Sequence, residues 1–309
     1  MSFLHNHFYQ IQLPNFLSFF EGERFVPIIS TIVYIFIGFL MFYIWPSIQS
    51  SIFKIGQLIA SSGYGGTFVY GIVKRALVPF GLHHVFYTPF YQTAIGGSME
   101  INGVLVHGAQ NIFFAQLADP NLKHFSVEAT KYFSGEFMIM IFGLPGAALA
   151  MYRSAKDESK KVVRSLFLSA ALTSILTGIT EPIEFTFIFV APMLFVVDVF
   201  LAGTAFVLAQ ALRVTIGFTF SCGLIDFLVF GVLQSNSKTH WIFIVIFGLI
   251  YFFLYYFSFR FLIKKFDLKT PGREDDNKLT IFNKKKMDYS FDQSLIDPQV
   301  QMILKGLGG

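Results

Sequence analysis

The chain holds one cysteine, Cys222, among 309 residues. A lone thiol excludes an intramolecular disulfide and a cysteine-based metal site. Charge is scarce as well. Asp, Glu, Lys and Arg make up 14% of the residues, against about 25% in an ordinary soluble domain. The net charge of +4 is small and scattered, so nothing argues for a nucleic-acid partner. There is no Gly-rich phosphate loop, no metal-ligand spacing and no Ser-His-Asp arrangement. No internal repeat stands out, and neither a metal nor a cofactor is implied. A secretory signal is missing too. The first apolar run starts near Phe25, behind Glu21, Glu23 and Arg24, unlike a short cleavable segment.

What is abundant is apolar side chain. The chain is 54% hydrophobic, carries 41 phenylalanines and has a mean hydropathy of +0.60. One water-soluble core has no room for that much apolar surface, and phenylalanine is inexpensive to place in lipid. The expectation is an all-α integral membrane protein, in contact with lipid. A membrane helix needs about 20 mostly apolar residues. Residues 26–46 supply them, ending at Pro46 with Tyr43 and Trp45 as interface anchors. The stretch 55–73 is interrupted between Ser61 and Gly66 and reads as an interfacial helix, a Gly-rich bend and a second helix. Further apolar runs cover 136–152, 165–180, 183–212, 214–233 and 241–263.

Arg153, Lys156, Lys160, Lys161 and Arg164 crowd one connection, and Arg260, Lys264, Lys265 and Lys269 flank the last run. Lys and Arg mark cytoplasmic loops, so both places are expected on that side. The run 165–180 is too short for an ordinary span and reads as a re-entrant hairpin with its tip near Thr180-Glu181-Pro182. At least one later run is also expected not to be a simple crossing. Residues 98–134 read as a loop with a short helix around Ile112-Phe113-Phe114. Beyond Asp267 the character turns polar, with Lys284-Lys285-Lys286 as a basic cluster.

Charges inside membrane segments are expensive and usually functional. Arg75 follows Lys74 and precedes Pro79 and Gly81, a break that would point His83 and His84 into a cavity. The competing reading has Lys74 and Arg75 snorkelling to headgroups and the histidines bonded within a loop. Adjacent histidines are expected to point in different directions. Glu181 and Glu184 are three apart, so a helix starting at Pro182 brings them to one face. Thr180 is expected to cap it, with Glu181 at the positive end of the helix dipole. A carboxylate held there can accept two hydroxyl hydrogens, which suits a sugar. The alternative is a capping carboxylate paired with Arg or Lys. Asp198 and Asp226 rank below Glu181, facing a cavity or pairing with a group such as Arg213. Cys222 reads as a small buried filler and Trp241 as an interfacial anchor.

Several motifs in order carry a resemblance. They are Phe19-Phe20-Glu21-Gly22-Glu23-Arg24, Arg75 through Leu82-His83-His84, Phe142-Gly143-Leu144-Pro145, Ser169-Ala170-Ala171-Leu172-Thr173-Ser174, Thr177 through Thr180-Glu181-Pro182-Ile183-Glu184-Phe185, Gly223-Leu224-Ile225-Asp226-Phe227 and Lys269-Thr270-Pro271-Gly272-Arg273. Together they resemble the IIC membrane component of the sugar phosphotransferase system, in the superfamily of glucose, maltose and N-acetylglucosamine permeases. The resemblance implies a permease of the bacterial plasma membrane that translocates a sugar, with IIB and IIA as partners that phosphorylate it. No phosphorylated residue of its own is implied for this chain. It implies a cytoplasmic C-terminal tail, and it implies Glu181, His83 and Arg75 as sugar-binding residues. His84, Glu184, Thr180 and Asn111 are supporting positions.

The resemblance also sets the expected division: residues 1–266 as the membrane transport domain, 267–298 as a soluble cytoplasmic linker, and 299–309 as the beginning of a IIB-like domain. The first motif falls at residue 19, where the family has several further helices ahead of it. The expectation is therefore the sugar-binding transport half alone, with dimerisation, or a separate chain for the other half, left open. Residues 108–120 look most like the maltose and alpha-glucoside branch, and residues 87–91 fit that branch or the glucose one. N-acetylglucosamine is the alternative sugar. A proton-coupled transporter using Asp198 or Asp226, or a sugar sensor that does not transport, are readings of other classes.

Overall fold

A computed structural model describes residues 2–273, so the basic cluster at 284–286, most of the 267–298 linker and the 299–309 segment lie outside the described residues. The chain forms two compact units, divided between Tyr132 and Phe133.

The first unit begins with α1 (Ser2–Phe8), two short 3-10 turns, and α2 (Phe25–Ser61). α2 contains 37 residues, about 55 Å at 1.5 Å per residue, well beyond the ~30 Å of a hydrocarbon core. The expected end at Pro46 is corrected, because the helix runs through it to Ser61. Proline removes one donor and crowds one carbonyl, a loss that a long membrane helix tolerates. The bend falls instead at Ser62-Gly63, and α3 (Gly63–Ala76) follows. A 3-10 turn at Val78–Phe80 ends on Gly81 in the left-handed region, φ +67°, and α4 (His83–Gln92) starts two residues later.

The stretch read as a loop contains an antiparallel hairpin, β1 (Ser98–Ile101) with β2 (Val104–His107), Ser98 opposite His107. Its turn is Asn102-Gly103, at φ +53° and +79°, as a two-residue turn that matches strand twist requires. α5 (Ala109–Leu117) and α6 (Val127–Thr130) complete the unit. Its core is aromatic. Tyr70 meets Phe90 at 4.8 Å and Tyr132 at 5.1 Å, both edge-on, geometry favoured by the ring quadrupoles.

The second unit opens with a π-helical turn, Met138–Gly143, that runs into α7 (Leu144–Ser154). The wide turn sits just ahead of Pro145, where one backbone donor is missing. α8 (Lys160–Thr177), α9 (Glu181–Glu184) and α10 (Pro192–Ala211) follow. The run 214–233 is not one helix. It is irregular to Gly223, then forms α11 (Leu224–Asp226) and a π-helical turn, Phe227–Val232. α12 (Asn236–Thr239) precedes α13 (Trp241–Lys265).

α7 and α13 approach closely because small residues line the seam. A methyl on Gly146 would stand 2.4 Å from the Phe252 carbonyl oxygen, and one on Gly248 2.3 Å from the Phe142 ring. In lipid, where burial of apolar surface drives nothing, such close packing holds helices together. Among the described residues three helical segments are long and apolar enough to cross a membrane: Gly22–Ser61, Pro192–Ala211 and Trp241–Lys265. The architecture of the described residues is that of an all-α membrane protein with one short hairpin.

Residues 267–273 fold back on α7. Arg273 donates to the Ser154 carbonyl at 2.9 Å, and Lys156 N–H donates to the Gly272 carbonyl at 2.9 Å. Arg273 and Lys269 both reach the Asp267 carboxylate, and these two donors hold its pKa below the usual aspartate value.

Candidate functional site

The residues singled out in the sequence fall into two groups, one in each unit. In the first unit the last turn of α3 presents Lys74 and Arg75, both buried. Lys74 does not reach out to headgroups. Its Nζ donates to Tyr91 Oη at 2.7 Å and sits 4.6 Å from the centre of the Tyr87 ring. An ammonium over a ring face in a buried place gains from the negative quadrupole.

The Gly81 turn then places His83 and His84 at the start of α4. Their rings do not diverge as expected, but lie 4.0 Å apart. His84 Nδ1 is 2.6 Å from Tyr87 Oη, and the His83 ring lies 6.2 Å from the Tyr87 ring. Tyr87 therefore ties Lys74 to the histidine pair. Lys74, Tyr87 and Tyr91 escaped sequence reasoning as a set, although the i, i+4 spacing of the two tyrosines marks one helix face. Asn111 stands apart at the start of α5, exposed, its amide donating to the His107 carbonyl at 2.9 Å.

In the second unit α8 ends at Gly178, φ +77°. A methyl there would stand 1.7 Å from the Ser221 carbonyl oxygen, so both the backbone angle and the packing demand glycine. Ser221 Oγ donates back to the Gly178 carbonyl at 3.0 Å. Three residues on, the chain reaches α9, a single turn. The helix-dipole argument for Glu181 is thereby corrected, since one turn sums few peptide dipoles. The expected cap is corrected too. Thr180 makes no side-chain cap bond. Instead Thr180 N–H donates to Glu181 Oε2 at 3.1 Å. Among the described residues Glu181 Oε1 takes no hydrogen bond, and the side chain is half-buried. Glu184 is on the same turn but wholly buried, so the two carboxylates are not equally accessible.

The loop that backs Gly178 is organised by Asp226. Its Oδ1 accepts Thr219 N–H at 3.1 Å and Thr219 Oγ1 at 2.9 Å, and its Oδ2 accepts the N–H groups of Phe220, Ser221 and Cys222, each at 3.1 Å. Neither a cavity nor Arg213 is its partner. Asp198, fully buried on α10, accepts from Tyr255 Oη at 2.8 Å. Cys222 is buried, as expected of a filler. Among the described residues no three His, Cys, Asp or Glu side chains gather as a metal site. A groove of about 540 Å³ along α2, lined by Pro27, Ser30, Thr31, Tyr34 and Ile35, holds no acid, histidine or arginine.

The two groups are thus a cation, aromatic and imidazole cluster on one unit and a tethered carboxylate on the other. Both are chemistries that bind hydroxyl-rich solutes. The family model described as "Phosphotransferase system, EIIC" matches residues 1–203. The PTS system glucose-specific EIICBA component of Staphylococcus saprophyticus subsp. saprophyticus is 49% identical over 273 residues, 88% of this chain and 39% of that protein. The PTS system glucoside-specific EIICBA component of Staphylococcus carnosus is 48% identical over 272 residues, 88% of this chain and 38% of that protein. The chain spans about two fifths of the length of these curated relatives. With the family model covering well over half of it and an apolar helical architecture to match, the chain belongs to the phosphotransferase-system EIIC family of membrane proteins.

Proposed function

We propose that this chain is the sugar-binding permease component of a phosphotransferase system. Its substrate is a glucose-type sugar, glucose or an alpha-glucoside such as maltose. IIB and IIA domains supply the phosphoryl group. Glu181 accepts sugar hydroxyls, His83 bonds another, and Arg75 orients the acid or the sugar. The observation that carries this reading is Glu181 itself: a carboxylate in an apolar chain, half-buried, with one oxygen spent on Thr180 N–H and the other left without a partner among the described residues. Membrane carboxylates are kept where they bind something. Similarity to relatives named for glucose and for glucoside supports the sugar class over N-acetylglucosamine. The proton-carrier reading of Asp226 is disfavoured by geometry, because both its oxygens are filled by the chain's own donors. The linker and IIB-like assignments of residues 267–309, and a cytoplasmic C-terminal tail, belong to the same reading.

Binding of labelled glucose, methyl alpha-glucoside, maltose and N-acetylglucosamine to the purified chain tests it. Glucose or a glucoside is expected to bind and N-acetylglucosamine is not. Glu181→Gln is expected to weaken binding about tenfold or more, the value of a charge-assisted hydrogen bond. Unchanged affinity in that variant overturns the site.

A further inference from the structure

The C-terminal half of α13 carries two adjacent stripes. Tyr256, Arg260 and Lys264 recur at every fourth residue on one, and Phe253, Phe257 and Phe261 on the other. The phenylalanines are exposed, at 54%, 62% and 60%. Phe253 and Phe257 are stacked, their planes 22° apart.

Tyr256 is buried, and two guanidiniums converge on its hydroxyl. Arg260 Nη1 donates to it at 2.5 Å from the next turn of α13. Arg153 Nη1 donates at 3.4 Å from the last turn of α7. Both guanidiniums also lie within 6 Å of the Tyr256 ring, at 5.7 and 5.8 Å. Among the described residues neither is paired with a carboxylate. Two like charges on one neutral oxygen repel, and a phenol offers too few lone pairs to satisfy both forks. A group with several anionic oxygens would offset the repulsion and occupy the remaining donors.

Basic residues at helix ends commonly face headgroups. This place differs in its construction. Two different helices aim arginines at the hydroxyl of one tyrosine, and an exposed phenylalanine ladder runs directly beside it. A free phosphate would gain nothing from that ladder. A lipid would lay its acyl chains on it while its phosphate met the arginines.

We propose that Arg153, Tyr256 and Arg260 form a binding site for the phosphate of an anionic phospholipid, whose acyl chains lie along Phe253, Phe257 and Phe261. Lys265, which sits over the Phe261 ring at 5.3 Å, adds positive charge at the rim. The site belongs to the second unit alone and rests on nothing in the sugar reading.

The test uses the purified full chain in detergent. Phosphatidylglycerol, phosphatidylcholine and inorganic phosphate are added separately. Retained lipid is counted by native mass spectrometry, and thermal unfolding is followed in parallel. Phosphatidylglycerol is expected to remain bound and to raise the unfolding temperature, whereas phosphatidylcholine and inorganic phosphate do neither. Arg153→Gln with Arg260→Gln is expected to weaken phosphatidylglycerol binding at least about tenfold. Phe257→Gln, at an exposed position that leaves the arginines in place, is expected to weaken it by a smaller factor, and stands in if the double variant does not fold. Equal retention of phosphatidylglycerol by parent and by both variants overturns the site. Equal stabilisation by inorganic phosphate overturns the lipid as its source.

Discussion

Gly178 and Ser221, more than forty residues apart, hold one another at backbone distance: Ser221 Oγ donates to the Gly178 carbonyl, and the Ser221 carbonyl fills the space a Gly178 side chain would need. This contact fixes the end of α8 and, three residues later, the turn that carries Glu181. Gly178→Ala carries two penalties, a left-handed backbone angle costing about 1–2 kcal/mol and a clash with backbone that cannot swing away. Sugar binding by isothermal titration is expected to be lost, and the unfolding temperature to fall.

Asp226 builds the wall that Gly178 leans on. Asp226→Asn replaces one acceptor oxygen with a donor that faces other donors, so at least two of the five bonds are lost. An N–H left unsatisfied costs about 1–3 kcal/mol where it is buried, as Cys222 N–H is. The expected result is weakened sugar affinity together with reduced thermal stability. Wild-type values for both would refute the bracing role.

Tyr91→Phe removes the hydroxyl that accepts from Lys74 and leaves the ring in place. A loss of about 1–3 kcal/mol in unfolding free energy is expected, because the hydrogen bond is to a charged group. Tyr87→Leu removes the ring under the ammonium and the His84 partner together. It is expected to lower stability and to disturb sugar binding through the histidine pair.

Gly146→Ala pushes a methyl against the Phe252 carbonyl. Backbone yields only by moving the helices apart, at a cost of about 1–3 kcal/mol. A lower unfolding temperature with unchanged sugar affinity is the expected outcome, since the α7–α13 seam is not part of the proposed sugar site.

The clasp at 267–273 has a pH dependence of definite sign. Lys269 and Arg273 hold the Asp267 pKa below its unfolded value. Its stabilising contribution is fully present above the unfolded value, about pH 4, and is lost as pH falls through the lower folded one. Protection of residues 267–273 against hydrogen exchange, relative to an unstructured chain at the same pH, is expected to fall on acidification in that range. Asp267→Asn should show low protection at every pH.

Much of the architecture was legible because its signals are local. The breaks at Gly81 and Gly178 show as glycines flanked by proline or threonine, and the helix at 112–114 shows as an apolar cluster. The hairpin at 98–107 was also signalled, by Asn102-Gly103, but lay hidden in a stretch read as loop. The end of α2 was misplaced because Pro46 is a breaker in water and a tolerated residue in a long apolar helix. Snorkelling stayed open as a competing reading of Lys74 because nothing nearby in the chain announces Tyr91, which folds back onto it from seventeen residues away.

The sequence by itself determined the membrane class, the family and the short list of polar residues worth following. Hydropathy, Gly and Pro placement and motif order act over a few residues and survive without a fold. Only the tertiary structure decided which polar atoms are already spent. Asp226 is filled by its own loop, Asp198 by Tyr255, Lys74 by tyrosines, and Glu181 by a single N–H. Each of those assignments except the last depends on a partner that only the folded chain brings close. In a greasy protein the few polar groups take whichever partner the packing offers.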